Sequence, residues 1–217
     1  MDSRDADLLS LGVLVSGRGT NLQAILDGCE AGRIPAQVKV VISNRPGALA
    51  LDRAAAKGVP AFVVEPRQYG KWPARKPAYE RRLVEILSSH GVELVVLAGY
   101  DRLVGETLLQ AFPMKVINIH PSLLPAFPGL GAQKQALDYG VKVAGATVFF
   151  VDLSVDGGPI IIQGACEVCQ DDTAESLSGR ILEIEHRILP EAINLIAQGR
   201  VKVKGRKVEI LTAPVKD

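Results

Sequence analysis

The sequence predicts an α/β protein: an open, mostly parallel, twisted sheet of about seven strands, with helices on both faces and a C-terminal hairpin. Three observations carry that prediction. Seven short apolar or β-branched runs recur along the 217 residues, of the kind that form strands buried on both faces. Helical stripes fall between them, and strands that alternate with helices imply parallel pairing through crossovers. No Ser/Gly-rich or charge-block linker divides the chain, so residues 1–217 read as a single domain.

The elements follow in order. A first strand at 13–15 precedes Leu22, Ile25, Leu26 and Cys29, which at i, i+3, i+4, i+7 form one apolar helix face. Strands at 38–42 and 61–64 come next, then a second helix whose stripe is Tyr79, Leu83, Ile86 and Leu87. Further strands are expected at 94–97, 116–119, 146–151 and 160–162. The segment Asp172-Thr173-Ala174-Glu175 offers a capped start to a long helix lined by Leu177, Ile181, Ile184 and Ile188. Pro190 should kink or end it. Residues 200–210 alternate basic and apolar side chains around Lys204-Gly205, a closing hairpin whose Lys/Arg row is a solvated edge that discourages aggregation. The whole pattern is Rossmann-like.

Charge and cysteine usage narrow the function classes. With 25 basic and 24 acidic side chains the formal charge is +1, which supports neither a nucleic-acid groove nor an anionic membrane surface. Three cysteines, Cys29, Cys166 and Cys169, make an odd count in a chain with no signal-peptide pattern and no run long enough to span a bilayer. A reducing cytoplasm is the expected location. The Cys166–Cys169 pair lacks a second CxxC or a nearby His pair, so it reads as ordinary small side chains, and no metal is expected.

Three constellations carry chemistry. The first is the turn at 16–22, where Gly17, Gly19, Thr20 and Asn21 lead from the opening strand into the first helix, with Thr20 and Gln23 spaced as a capping box. Backbone N–H groups at such a helix start suit a phosphate. A dinucleotide fingerprint would need glycine where Leu22 stands, and residues 43–44 supply no ribose-binding acid, which disfavours NAD. A tight turn with no ligand reads this segment equally well, and both readings stay open at this point.

The second is the run at 117–129. Asn118 and His120 stand two residues apart on an extended segment, hence on one side of it, and three prolines stiffen the loop that follows. An amide at Asn118 can stabilise an oxyanion, and His120 can pass protons. A packed histidine bonded to a carbonyl is the structural alternative. The third is the loop at 151–159, where Asp156 precedes Gly157 and Gly158. Asp156 can be a simple turn residue; beside His120, its charge would favour the protonated imidazole and fix its tautomer.

Together these segments resemble the folate-dependent phosphoribosylglycinamide formyltransferases of purine biosynthesis. The likeness runs from about residue 11 to about residue 210, through Ser-Gly-x-Gly-Thr-Asn-Leu-Gln at 16–23, Val-Val-Leu-Ala-Gly-Tyr at 95–100, Asn-Ile-His-Pro-Ser-Leu-Leu-Pro-x-Phe-Pro-Gly at 118–129, Asp-Gly-Gly-Pro-Ile at 156–160 and Glu-His at 185–186. The resemblance implies formyl transfer from 10-formyltetrahydrofolate, a co-substrate, to the glycinamide amine of the phosphoribosyl substrate. It implies catalytic roles for Asn118, His120 and Asp156, substrate contacts from Gly19, Thr20, Asn21 and Glu185, and a folate site along Asp101, Arg102, Leu103, Val104 and Asn118. Lys76 would lie near the folate's outer end, and the loop at 152–156 would lie against the pterin. On this reading the N-terminal half binds phosphate and the C-terminal half is catalytic and folate-binding.

The chain departs from the family's usual pattern at four of these places. Many members carry Met at the position of Asp101, Arg at Lys76, and His at Phe149 and Gly131. The expected partners are small molecules, with no nucleic acid and no membrane, and the expected assembly is a monomer or homodimer. Among related enzymes, a methionyl-tRNA formyltransferase is expected to carry an extra C-terminal domain and a formyltetrahydrofolate hydrolase an N-terminal regulatory one. A non-catalytic phosphate- or nucleotide-binding module of the same fold is the alternative from a different class.

Overall fold

The computed structural model describes residues 8–71 and 76–214. It comprises two compact units, Met1–Ile117 and Asn118–Asp217.

The first unit is built from β1 (Leu9–Val15), α1 (Thr20–Glu30), β2 (Ala36–Ser43), α2 (Leu49–Ala56), β3 (Ala61–Val63), a 3-10 turn (Pro66–Tyr69), α3 (Lys76–Ser89), β4 (Leu94–Leu97), α4 (Glu106–Ala111) and the opening residues of β5 (Val116–His120). β1 pairs in parallel with β2 on one side and β4 on the other, and β2 pairs with β3, giving the order β3-β2-β1-β4 before β5. Val13 is thus flanked by Val41 and Val96, all three fully buried, because the β-branched runs of the central strands have sheet on both sides and helices over them. Leu22 and Ile25 of α1 and Leu83 and Leu87 of α3 cover that core, as their spacing predicts. Gly12 marks how tightly α3 lies on β1: a Cβ there would come within 2.3 Å of Leu87 Cδ2.

Two expectations shift in this unit. β3 lies at the end of the strand order and is partly exposed, not buried on both faces, since an edge strand has a neighbour on one side only. α2 and α4 carry weak stripes. α2 buries only Ala50 and Ala54, and α4 has six residues, so neither gives a strong 3.6-residue signal.

The second unit takes up the rest of β5, then α5 (Ala132–Tyr139), β6 (Val143–Phe150), β7 (Ile160–Glu167), α6 (Ala174–Ala197), β8 (Val201–Lys204) and β9 (Lys207–Ile210). β6 and β7 are antiparallel, unlike the parallel pairs among the strands of the first unit. β7 is longer than the apolar run at 160–162 because Gln163 and Gly164 conceal its continuation. α6 begins on Thr173, whose side chain accepts from the backbone N–H of Ser176 in a capping box. It buries Leu177, Ile181, Ile184 and Ile188 as expected.

The helix runs on through Pro190 to Ala197, so the proline does not end it. Proline removes one backbone bond, but Ile188, Leu189, Ala192 and Ile193 are all buried around it, and that burial holds the helix together. β8 and β9 form the predicted hairpin, with Gly205 at φ 59° in its turn.

Candidate active site

In the second unit, β5 ends by presenting Asn118, half-buried, and His120, 6% exposed. The His120 ring is held from both sides. Its Nε2 lies 2.9 Å from the Phe127 carbonyl oxygen, and its Nδ1 lies 3.5 Å from Asp156 Oδ2. Both neighbours are acceptors, so the imidazole satisfies both when each nitrogen carries a proton. The carbonyl contact foreseen as an alternative for His120 is therefore present together with the Asp156 contact.

The loop after His120 is stiff for reasons beyond its prolines. Fully buried Thr147 of β6 donates to the Ser122 carbonyl (2.7 Å) and accepts from the Leu124 N–H (3.1 Å). Gln163 of β7 donates to the Leu124 carbonyl (2.9 Å) and to Thr147 Oγ1 (3.0 Å), and Ser122 Oγ donates to the Ala126 carbonyl (2.6 Å). Polar groups that a buried loop would otherwise orphan are thus satisfied by two strands.

Asp156 sits at φ 49°, left-handed for a residue with a side chain. Its Oδ2 also accepts the Gly129 N–H at 2.7 Å, tying the Asp156 loop to the loop that holds His120. Gly158 must be glycine, since a Cβ there would lie 1.8 Å from the Phe150 carbonyl oxygen. Arg206, in the turn of the C-terminal hairpin, donates to the Gly157 carbonyl. The basic row of that hairpin is therefore not wholly a solvated edge. Asp152 accepts from the Ser154 N–H (2.8 Å) in a local turn. Glu185 lies on α6 and is buried, 8% exposed, within the apolar stripe.

The first unit presents the glycine-rich turn. Gly19, at φ 71° and ψ 30°, is the residue before α1, and a Cβ on it would lie 2.6 Å from Ala50 Cβ. The Thr20–Gln23 capping box does not form. A left-handed glycine occupies the cap position and moves Thr20 into the helix, while the Gln23 side chain donates to Asp27 and accepts from Arg53. α2 stitches the turn in place: Arg53 donates to the Arg18 carbonyl (2.9 Å) and the Ala50 N–H to the Gly17 carbonyl (3.1 Å). A helix start behind a fixed turn of this kind is the geometry that suits an anion. Asn21 is buried at its base.

The segment 101–104 follows β4, and both its ends are pinned. Asp101 accepts from Ser16 Oγ (2.9 Å) and Asn44 Nδ2 (2.7 Å), pairs with Arg45, and donates its own N–H to Ser16 Oγ (2.9 Å). Burial alone would push its carboxyl up, but the Asn44 and Ser16 hydrogen bonds and the Arg45 and Arg102 charges hold it below the ordinary aspartate value. At the other end Lys76 Nζ donates to the Val104 carbonyl at 3.2 Å. Buried Glu80 accepts from the Leu108 N–H (3.4 Å); burial raises its pKa, and the Lys76 charge and backbone N–H groups oppose that rise. Between the pinned ends Leu103 is 58% exposed.

Of the residues singled out from sequence, Asn118, His120 and Asp156 come together in the second unit, and the glycine turn, Lys76 and 101–104 lie in the first. Sequence reasoning did not find the Phe127 carbonyl, the Gly129 N–H, Thr147, Gln163 or Arg206, which act through contacts distant along the chain. Phe149, where many formyltransferases carry His, is a core residue at 1% exposure. Among the described residues no group of three His, Cys, Asp or Glu side chains is placed to hold a metal ion, and no helix is long and apolar enough to cross a membrane.

Comparison with known proteins places the chain in a family. The formyl transferase family profile matches residues 10–193. The chain is 46% identical over 181 residues to phosphoribosylglycinamide formyltransferase of Bacillus subtilis, covering 83% of this chain and 91% of that protein. It is 42% identical over 189 residues to the trifunctional purine biosynthetic protein adenosine-3 of Drosophila melanogaster, covering 86% of this chain but 14% of that longer protein. Its structure is similar to the crystal structure of glycinamide ribonucleotide transformylase 1 from Symbiobacterium toebii, with a TM-score of 0.91, 56% identity and 95% of each chain covered. With the family profile spanning most of its length and a relative at 46% identity, this chain belongs to the formyl transferase family.

Proposed function

We propose that this chain transfers the formyl group of 10-formyltetrahydrofolate to the glycinamide amine of 5-phosphoribosylglycinamide, with His120, Asn118 and Asp156 as its reacting centre. The observation that carries the assignment of roles is the imidazole held between the Phe127 carbonyl and the Asp156 carboxylate.

As the amine adds to the formyl carbon, negative charge develops on the formyl oxygen. The Asn118 amide donates to it, and the protonated His120 does so by exchanging the Phe127 carbonyl at Nε2 for the oxyanion while Nδ1 stays on Asp156, a kind of contact whose loss costs roughly 3 kcal/mol where measured. A proton must then leave the attacking nitrogen and another reach the departing folate nitrogen. His120 carries it, directly or through water, and the Asp156 carboxylate keeps the ring oriented while it does so. No covalent enzyme intermediate is needed. Gly19, Thr20 and Asn21 hold the substrate phosphate at the start of α1. Glu185 orients the amine.

The folate lies along Asp101, Arg102, Leu103 and Val104. A loop segment with an exposed Leu103 between pinned ends fits an apolar ring with hydrogen-bonding edges. Lys76 acts on this wall through the Val104 carbonyl rather than as a bidentate fork for a folate carboxylate. The functional domain spans residues 1–217 and works on small molecules, as a monomer or homodimer, without nucleic acid. Three cysteines with no disulfide among them support a cytoplasmic location.

The test is direct. Purified protein supplied with both substrates transfers formyl, and His120→Ala lowers turnover more than it weakens binding of either substrate. Binding of both ligands by the unmutated protein with no transfer refutes the enzyme in favour of a binding module.

A further inference from the structure

The Asp101 carboxylate takes hydrogen bonds from residues at the ends of two other strands. Three strands of the first unit end beside it. Ser16 follows β1, Asn44 and Arg45 follow β2, and Asp101 itself follows β4. Ser16 is bound twice, its hydroxyl donating to Asp101 Oδ1 while it accepts the Asp101 N–H, each at 2.9 Å. Asn44, 4% exposed, donates to the same oxygen at 2.7 Å, and Arg45 pairs with the other oxygen. Ser16 opens the glycine turn, and Asp101 opens the wall at 101–104. A single carboxylate therefore fixes the entry of both segments.

We propose that Asp101 is a positioning residue that locks the phosphate-binding turn and the folate wall into one arrangement, so that both substrate sites are pre-formed by the same group. The inference rests on the assignment of those two segments made above. The carboxylate is satisfied by three donors where it stands, so it is the backbone of Asp101, not its side chain, that is left to meet the folate. Its effect is on pre-organisation, which appears in binding of both ligands and not in the chemical step, because His120, Asn118 and Asp156 belong to the other unit.

The experiment compares unmutated protein with Asp101→Asn, Asp101→Met and Ser16→Ala. KM for each substrate, kcat and melting temperature are measured, and each substrate's affinity is read separately by calorimetry. The expected result is a rise in both KM values of about tenfold, the size of one lost charge-assisted hydrogen bond, with kcat held within about twofold. Asp101→Asn, which keeps one oxygen for Ser16, should be milder than Asp101→Met.

A rise in one KM alone, a fall in kcat as large as the change in KM, or an Asp101→Met protein indistinguishable from the unmutated one overturns the inference. If the Asp101 variants fail to fold, Ser16→Ala decides: unchanged KM values there overturn it. Absence of transfer by the unmutated protein is instead a failure of the functional reading. The calorimetric arm then still judges Asp101, and no binding of either substrate overturns both.

Discussion

Replacing Asp156 with asparagine removes one charge from beside His120 while keeping the side chain's shape, so it isolates what the carboxylate does. In the folded protein Asp156 Oδ2 accepts the Gly129 N–H at 2.7 Å and faces His120 Nδ1 at 3.5 Å, with the Asp156 side chain 13% exposed. Asparagine can still accept from Gly129 through its oxygen. That same oxygen faces Nδ1, so the contact survives as a neutral one in place of a charged one. The variant keeps the loop and the ring's position but loses the negative charge that offsets the imidazolium when His120 holds a second proton.

The size of the loss follows from the geometry. While His120 holds a second proton, its charge and that of Asp156, 3.5 Å apart, attract by about 5 kcal/mol at an effective dielectric near 20 before desolvation is counted. Hydrogen bonds to charged groups retain roughly 1.5–3 kcal/mol of such attraction, and 2–3 kcal/mol corresponds to about a 30- to 150-fold fall in turnover. The assay is kcat at saturating levels of both substrates, followed by the absorbance of the folate product, with both KM values and the melting temperature as companions. Turnover within about threefold of the unmutated protein, with the fold intact, would refute a role for the Asp156 charge in the reaction.

Three further outcomes are expected. Gly19→Ala places a Cβ in a left-handed position 2.6 Å from Ala50 Cβ; it should lower the melting temperature by about 5–10 °C and raise KM for the phosphoribosyl substrate more than for the folate, in thermal-shift and kinetic measurements. Thr147→Val leaves the Ser122 carbonyl and the Leu124 N–H without their buried partner and should cost about 2–4 kcal/mol in chemical denaturation; a loss under about 0.5 kcal/mol would contradict the bracing role given to Thr147. Asp101 is held below its ordinary value of 3.8, and a depressed carboxyl contributes stability that is present above the unfolded value and lost as pH falls through the folded one. The melting-temperature gap between unmutated protein and Asp101→Asn should therefore be full near neutral pH, begin to narrow below about pH 3.8 and go on narrowing as the pH falls further, and a gap that does not narrow in acid would contradict the assignment.

The central strands β1, β2 and β4 were legible because buried parallel strands leave continuous apolar runs, and α1, α3 and α6 because their stripes are long and regular. α2 and α4 were not, since alanine at a helix face carries little contrast and six residues make less than two turns. The capping box at Thr20 matched in spacing but not in backbone: Gly19 takes a conformation that spacing does not encode. Asn118 and His120 were legible from a two-residue interval on a strand. Their surroundings were not, because the Phe127 carbonyl and Gly129 N–H are backbone groups that any residue would supply, and Arg206 reaches Gly157 from 49 residues along the chain. Lys76 shows the limit of reading by resemblance. Its charge was visible, and its engagement with the Val104 carbonyl was not.

The two non-glycine residues beside the imidazole explain how its contacts are sustained. Phe127 at φ 52° and Asp156 at φ 49° each occupy left-handed backbone, which costs an L-residue roughly 1–2 kcal/mol. In an ordinary turn glycine would remove that cost. Here each residue supplies a group that bears on His120: Phe127 turns its carbonyl to Nε2, and Asp156 turns its carboxylate to Nδ1. Glycine at 156 could not offer a carboxylate, and glycine at 127 would lose the ring that meets Tyr139 edge-on at 5.8 Å. The strain is offset by hydrogen bonds brought from elsewhere, through Gly129 to Asp156, through Arg206 to Gly157, and through Thr147 and Gln163 to the loop before Phe127. An imidazole whose two partners are both strained and both braced cannot turn freely. For a proton carrier, a ring anchored through Nδ1 can exchange the Phe127 carbonyl for substrate at Nε2 without turning, and that is the useful state.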